Sequence, residues 1–137
     1  MAAEDQGTGG ALDDGAYRGS RIDDLPDLWD GFAKLVREGL GISGFGVQIM
    51  DLPPDYTTKS HDERASGQQE LYLALHGSGA VVLHIDPQER LELDADHVAA
   101  VGPAVERTLT SGPNGMRVLC VGGTPGKPYE SPEWTAG

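Results

Sequence analysis

The sequence predicts an all-β fold, a sandwich, jelly roll or small barrel, preceded by one short helix and followed by a tail. Three observations lead there. From Gly44 onward apolar residues recur at a period of two over short stretches. Turn-forming residues separate these stretches at spacings of about 8–12 residues, the rhythm of sandwiches and barrels. The 137 residues include 20 Gly and 9 Pro, so the chain reverses too often for a helical array. That length suits one domain around one core, with residues left for tails.

The elements follow in order. Residues 1–15, rich in Gly, Asp and Ala, read as a disordered tail. A helix is predicted next, with Asp24 as N-cap, Pro26 in the first turn and Asp27 favoured by the helix dipole. Leu28, Phe32, Leu35 and Val36 give it an apolar stripe that packs on a sheet, and Gly39 or Gly41 ends it. Phe45, Val47 and Ile49 then alternate with Gly46 and Gln48, and Pro53-Pro54-Asp55 turns the chain. Leu71, Leu73 and Leu75 alternate with Glu70, Tyr72 and Ala74, a strand with two distinct faces. A turn is predicted at His76-Gly77-Ser78-Gly79, before the apolar strand Ala80 to Ile85. After the loop Asp86 to Glu89, strands are predicted at Arg90 to Leu93, His97 to Val101 and Val105 to Thr110. A further turn at Gly112-Pro113-Asn114-Gly115 leads into Met116 to Val121. Tyr129 and Trp134 are placed to pin the C-terminal tail onto the domain.

Composition narrows the function. A formal net charge of −12, with ten scattered basic residues, excludes the clustered Lys and Arg of a nucleic-acid or anionic-membrane site. Cys120 is the one cysteine and sits in the apolar run Val118 to Val121, so it reads as a buried, inert thiol with no disulfide framework. The start Met1-Ala2-Ala3-Glu4-Asp5 has no basic or apolar region of a signal peptide, and no apolar run approaches the ~20 residues that span a bilayer. A cytoplasmic protein is expected.

The segment from Asp55 to Gly79 resembles the first motif of the small single-domain cupins. In that family the motif runs Gly, five residues, His-x-His, three or four residues, Glu, six residues, Gly. Glu70 and Gly77 match its last two places, and Gln69 to Gly79 is similar to the strand-and-turn common in bacterial cupins of unassigned function. His61-Asp62-Glu63 stands in the place of His-x-His after a lengthened loop, and Asp55 in that of the leading Gly. The second motif is degenerate. Its His position falls on Arg107, its Gly on Ala104, its Asn on Ser111 and its leading Gly on Asp96, with Pro103 one place off.

The resemblance implies a cupin-type jelly-roll β-barrel over 43–123. A 16–42 extension carrying the amphipathic helix precedes it, and a 124–137 tail packs on it. Family centres hold Fe, Mn, Ni or Zn through three His and one Glu, leaving room for substrate. Carried over, this chain offers His61, Glu63, Glu70 and Arg107. A guanidinium cannot ligate a cation and repels one nearby, so the usual tightly bound metal is not expected; if one binds, its ligands are His61, Glu63 and Glu70. Two carboxylates inside a barrel need compensation, which Arg107 supplies if it pairs with Glu70 or Glu63 where the metal would stand.

Glu63 is either a pocket residue or part of a solvated loop, and His61 either a ligand or general base or an ordinary exposed His. Tyr72 shares a face with Glu70. His76, His84 and His97 lack ligand spacing, and Ser78 has no base partner. The pocket candidates are therefore His61, Glu63, Glu70, Tyr72 and Arg107, and the expected function is binding of a small anionic or polar molecule. The alternative is a cupin enzyme, a metal-dependent dioxygenase or a sugar-type isomerase or epimerase. A homodimer is expected as well, because unpaired sheet edges need covering.

Overall fold

In a computed structural model of the chain, residues 10–131 are described, and an antiparallel β-structure dominates them. A 3-10 turn at Ile22–Asp24 is followed by strands β1 (Asp27–Leu28) and β2 (Ala33–Lys34), helix α1 (Val36–Leu40), β3 (Gly46–Leu52), β4 (Gln69–Leu83), β5 (Glu89–Leu93), β6 (Val98–Val101) and β7 (Arg107–Gly123). The strands run in the order β1-β2-β3-β7-β4-β5, with β6 also paired to β4. The 15-residue β4 and 17-residue β7 bend, so that one end of β4 pairs with β6 and the other with β5. This lets two strands serve both walls of a jelly roll, whose core is packed by Met50, Leu52, Val81, Leu93, Leu109 and Val118.

Two predicted turns are bends inside continuous strands. Gly77 pairs with Met116 in the β4–β7 ladder, next to Gly115; the two glycines take φ +73° and +78°, and the register shifts on either side of Gly77. A Cβ on Gly77 would lie 2.2 Å from the Gly115 carbonyl oxygen, so glycine permits both the left-handed conformation and the close approach. The ladder continues because long-range pairing satisfies each backbone group that a turn would expose.

The predicted helix is confined to Val36–Leu40, closed as expected by Gly41 at φ +76°. Upstream, the residues assigned to its first turns form a β-hairpin instead. Trp29, Asp30 and Gly31 take positive φ in succession, which no right-handed helix allows, and Ala33 and Lys34 pair with Met50 and Ile49 of β3. Pairing to a strand distant in sequence has overridden the local periodicity. Of the expected tail, 1–9 lie outside the described residues. Gly10–Gly15 are described, with the Leu12 amide donating to the Gly41 carbonyl at 2.8 Å.

Candidate functional site

The site begins with a backbone pairing. The segment after Pro54 runs antiparallel to the first half of β7, and His61 and Arg107 exchange both amide–carbonyl hydrogen bonds, at 3.1 and 2.9 Å. Directly opposed residues of an antiparallel pair point to one face, so both side chains turn toward the interior. Glu70 and Tyr72 arrive from β4 on its inward face, beside Gly122 and Cys120 of β7. Glu63 is fixed by its own amide, which donates to the Pro103 carbonyl at 2.8 Å, and by Ser66, whose hydroxyl donates to its carboxylate at 3.1 Å. Asp55, in the place of the motif's leading Gly, adopts φ +54°, the left-handed region that glycine enters without strain. All five predicted pocket residues are therefore brought together.

Arg107 is the centre of the cluster and is fully buried, at 0% exposure. Its Nη2 donates to Glu70 Oε1 at 2.6 Å and its Nε to the Tyr72 hydroxyl at 3.2 Å. Its Nη1 donates to the carbonyls of Val105 at 2.8 Å and Gly102 at 3.2 Å. Tyr72 in turn donates to the same Glu70 oxygen at 2.5 Å. The guanidinium is thus committed to internal acceptors, in the charge-assisted geometry that makes a buried pair tolerable. His61 Nε2 lies 3.3 Å from Glu63 Oε2 and 3.5 Å from Glu70 Oε1, with its side chain 43% exposed at the barrel mouth.

These contacts set the protonation states. Burial pushes the Glu70 carboxyl up, but hydrogen bonds from His61, Tyr72 and Arg107 outweigh it and hold the group at about 2. Glu63 and Glu70 together raise His61 to about 9, against its burial. Burial drives both the Tyr72 hydroxyl and the Cys120 thiol well above their ordinary ranges. At neutral pH the cluster holds a protonated His61 and a neutral Tyr72.

One nitrogen of His61 and one oxygen each of Glu63 and Glu70 lie within 4.8 Å of one another, close enough for a single cation to touch all three. No other such group occurs among the described residues. His84 instead bonds Thr108 at 3.1 Å, and His97 pairs with Asp94 at 2.8 Å on the surface.

Sequence reasoning missed part of the lining. A cavity of about 40 Å³ beside the cluster is bounded by Gln48, Gln68, Glu70, Cys120, Gly122 and Tyr129, among others. It has room for a few water molecules and falls far short of the ~300 Å³ of an ordinary small-molecule pocket. Tyr129 lines it as well. The ring lies against Gly46, where a Cβ would come within 2.5 Å of it, and the Arg37 guanidinium stacks over it at 5.2 Å. The Gln68 amide holds the same segment through the Glu130 carbonyl at 3.2 Å. Trp134 lies outside the described residues. Gln48 was legible, since it shares a strand face with Met50 and Leu52; Gln68 and Tyr129 carry no spacing signal.

The jelly roll is similar in fold to solved structures. A cupin protein from Bacteroides fragilis superposes with a TM-score of 0.63 at 20% identity, covering 88% of this chain and 94% of its own. The fold is that of a small cupin domain. An RmlC-like cupin from Desulfovibrio desulfuricans matches with a TM-score of 0.57 at 15% identity, covering 77% of this chain and 94% of its own. An oxalate decarboxylase variant from Bacillus subtilis matches at 0.56 and 16% identity, over 67% of this chain and 25% of that one. No family model and no curated protein matches the sequence. At these identities the likeness extends to the cupin fold, and the chemistry of the barrel rests on this chain's own residues.

Proposed function

We propose that this cupin domain binds a small polar molecule at its barrel mouth without a resident metal ion. The observation that carries this is the placement of Arg107: a fully buried guanidinium 2.6 Å from Glu70 Oε1, at the position where the family motif has a histidine. The residues do not fit a four-ligand cupin centre. One ligand position is a fixed cation, and the Glu70 oxygen that would face an ion already accepts from Arg107 and Tyr72.

Because Arg107 is satisfied internally, the groups left for a ligand are His61 at the mouth and Glu63, Gln48 and Gln68 around the small cavity. They offer donors and acceptors in mixed order, which suits a hydroxyl- or amide-bearing compound, or a carboxylate received by His61. Anything larger than a few heavy atoms requires the Tyr129 segment to lift, since the cavity beneath it is only about 40 Å³.

Metal analysis of protein purified without a metal-binding tag, joined to thermal-shift screening of polyols, amides and carboxylic acids, tests the reading. The expected outcome is well under a tenth of an equivalent of transition metal, with stabilisation by at least one polar class that His61→Ala removes. Stoichiometric metal overturns it. Replacing Arg107 by histidine supplies the missing imidazole, and Arg107→His is expected to bind nickel or zinc measurably more tightly than the parent.

One observation favours a second reading. His61 is half-exposed, protonated at neutral pH and bracketed by two carboxylates, the placement of a general acid for an isomerase or epimerase. Turnover of a sugar-type substrate that His61→Gln abolishes would establish it.

A further inference from the structure

The small cavity bordered by Gln48 of β3, Glu70 of β4, Gly122 of β7 and Gln68 is unevenly supplied with hydrogen-bonding groups. Gln68 decides its character, because the residue is only 3% exposed. Its amide nitrogen donates to the Glu130 carbonyl at 3.2 Å, and this fixes the amide's orientation, since a flipped amide would set two carbonyl oxygens against each other. The side-chain oxygen points toward Gly122, where a Cβ would lie 2.9 Å from it and 3.5 Å from Glu70 Cγ. That oxygen accepts no hydrogen bond from a described residue. Among the described residues no side-chain nitrogen or oxygen sealed from solvent lacks a partner. An unpartnered oxygen on so buried a residue therefore borders open space, which here is the cavity of about 40 Å³.

We propose that this cavity receives the NH2 group of a small primary amide, the innermost anchor of the ligand held at the barrel mouth. The inference rests on the metal-free binding role given above. Glu70 receives Tyr72 and Arg107 on Oε1, which leaves Oε2 without an N–H or O–H donor among the described residues. Gln48 lines the same space and brings a further amide. The donors nearby are already spent: the Arg37 guanidinium on Ile42, Glu38 and Ser131, and that of Arg107 on its four acceptors. Buried acceptors left open call for a guest that donates. The guest is neutral, because each carboxylate at the cavity faces a counter-charge, Glu70 with Arg107, Glu63 with His61 and Glu38 with Arg37. A carboxylate guest would set oxygen against oxygen, and a lone hydroxyl brings one donor where Gln68 and Glu70 together ask for two.

Titration of the intact chain with acetamide, followed by proton–nitrogen NMR, tests this, with acetone, acetate and methylammonium as small probes beside it. Acetamide is expected to shift the side-chain NH2 signals of Gln68 and Gln48 and the Gly122 amide with a Kd of ~1–10 mM, weak because so few heavy atoms make contact. Acetone has the same shape and no donor, and should bind at least ~10-fold more weakly, as should acetate and methylammonium. Gly122→Ala puts a methyl group beside the Gln68 oxygen and should weaken acetamide ~10-fold or more. Acetone binding as tightly as acetamide overturns the proposal, and so does methylammonium binding more tightly. No shift up to ~100 mM acetamide overturns it by leaving the cavity to water alone. Unchanged affinity in Gly122→Ala overturns it by placing the amide elsewhere. The comparison of acetamide with acetone needs no variant, so it decides the matter even if Gly122→Ala does not fold. Stoichiometric metal in the purified chain would remove the metal-free role itself, whereas metal-free protein that binds polyols or acids and ignores acetamide refutes this inference alone.

Discussion

Removing the guanidinium of Arg107 should destabilise the fold sharply, and removing the Glu70 charge in the same molecule should restore part of the loss. Arg107→Met keeps the apolar stem but deletes four hydrogen bonds, two to the Glu70–Tyr72 pair and two to the Gly102 and Val105 carbonyls. Glu70 remains ionised with a side chain only 14% exposed. Breaking a buried pair from one side costs ~3–5 kcal/mol. The Glu70 shift from 4.5 to about 2 gives an independent scale of roughly 3 kcal/mol at neutral pH, shared among Arg107, Tyr72 and His61. For a domain of this size ~3–4 kcal/mol lowers Tm by roughly 10–15 °C. Adding Glu70→Gln removes the stranded charge but leaves two carbonyls without their donor, so the double variant should recover about half the loss. Urea and thermal unfolding of the four proteins give the coupling energy, expected at ~1.5 kcal/mol or more. A single-variant cost below ~1 kcal/mol, or a Glu70→Gln effect that is the same in both backgrounds, would refute the account of Arg107 as the charge that holds the barrel interior together.

Other expectations follow from the same geometry. His61 rises from 6.5 unfolded to about 9 folded, so its contribution is full below pH 6.5 and lost as pH climbs through 9; Glu70 falls from 4.5 to about 2, so its contribution is full above pH 4.5 and lost as pH drops through 2. Tm should therefore be flat between pH 4.5 and 6.5 and decline on both sides. The alkaline limb, roughly 1–2 kcal/mol after solvent screening of a half-exposed imidazole, should disappear in His61→Gln. Gly77→Ala should cost ~3 kcal/mol or more in urea titrations, since its Cβ would meet the Gly115 oxygen at 2.2 Å in a left-handed conformation; a cost under ~1 kcal/mol would contradict the bulge geometry. Cys120 should react with thiol reagents at least ~100-fold more slowly in native than in denaturant-unfolded protein, and fast native labelling would place the thiol outside the core.

The strands were legible from their period of two, which did not reveal the buried face of β4: its leucines Leu71, Leu73 and Leu75 are the exposed ones. Glu70, Tyr72 and Ala74 do face the interior, and the fold class follows from such segments. The Leu28–Val36 stripe misled because its spacing is compatible with a helix, while the deciding partners, Met50 and Ile49, lie some fifteen residues downstream. The glycines at 77 and 115 were read locally as turn residues. Their role depends on the Gly115 carbonyl passing close to Gly77 across the ladder, and nothing within either segment encodes that. The site shows the same division. Motif spacing located Glu70, and family alignment brought His61, Glu63 and Arg107 to one place, but Tyr129 enters the mouth through a tail whose path no periodicity marks.

The joint departure of two positions from the motif is what gives the cluster its sense. Glu63 alone in place of a ligating histidine would add a second carboxylate to a low-dielectric interior beside Glu70. Arg107 alone would bury a cation with a single counter-charge. Together with His61 the four side chains form two opposed pairs, Arg107 with Glu70 and His61 with Glu63, at 2.6 and 3.3 Å. Their formal charges cancel when His61 is protonated. A divalent ion entering this arrangement would have to displace the His61 proton and stand against a guanidinium that cannot lose its own. Restoring the motif one position at a time therefore separates the two substitutions. Arg107→His removes the fixed cation and creates a fourth ligand, whereas Glu63→His alone leaves the guanidinium in place. If metal affinity rose as much in Glu63→His as in Arg107→His, the guanidinium would not be what excludes the ion. The inward pairing at Glu70 would then be a structural brace alone.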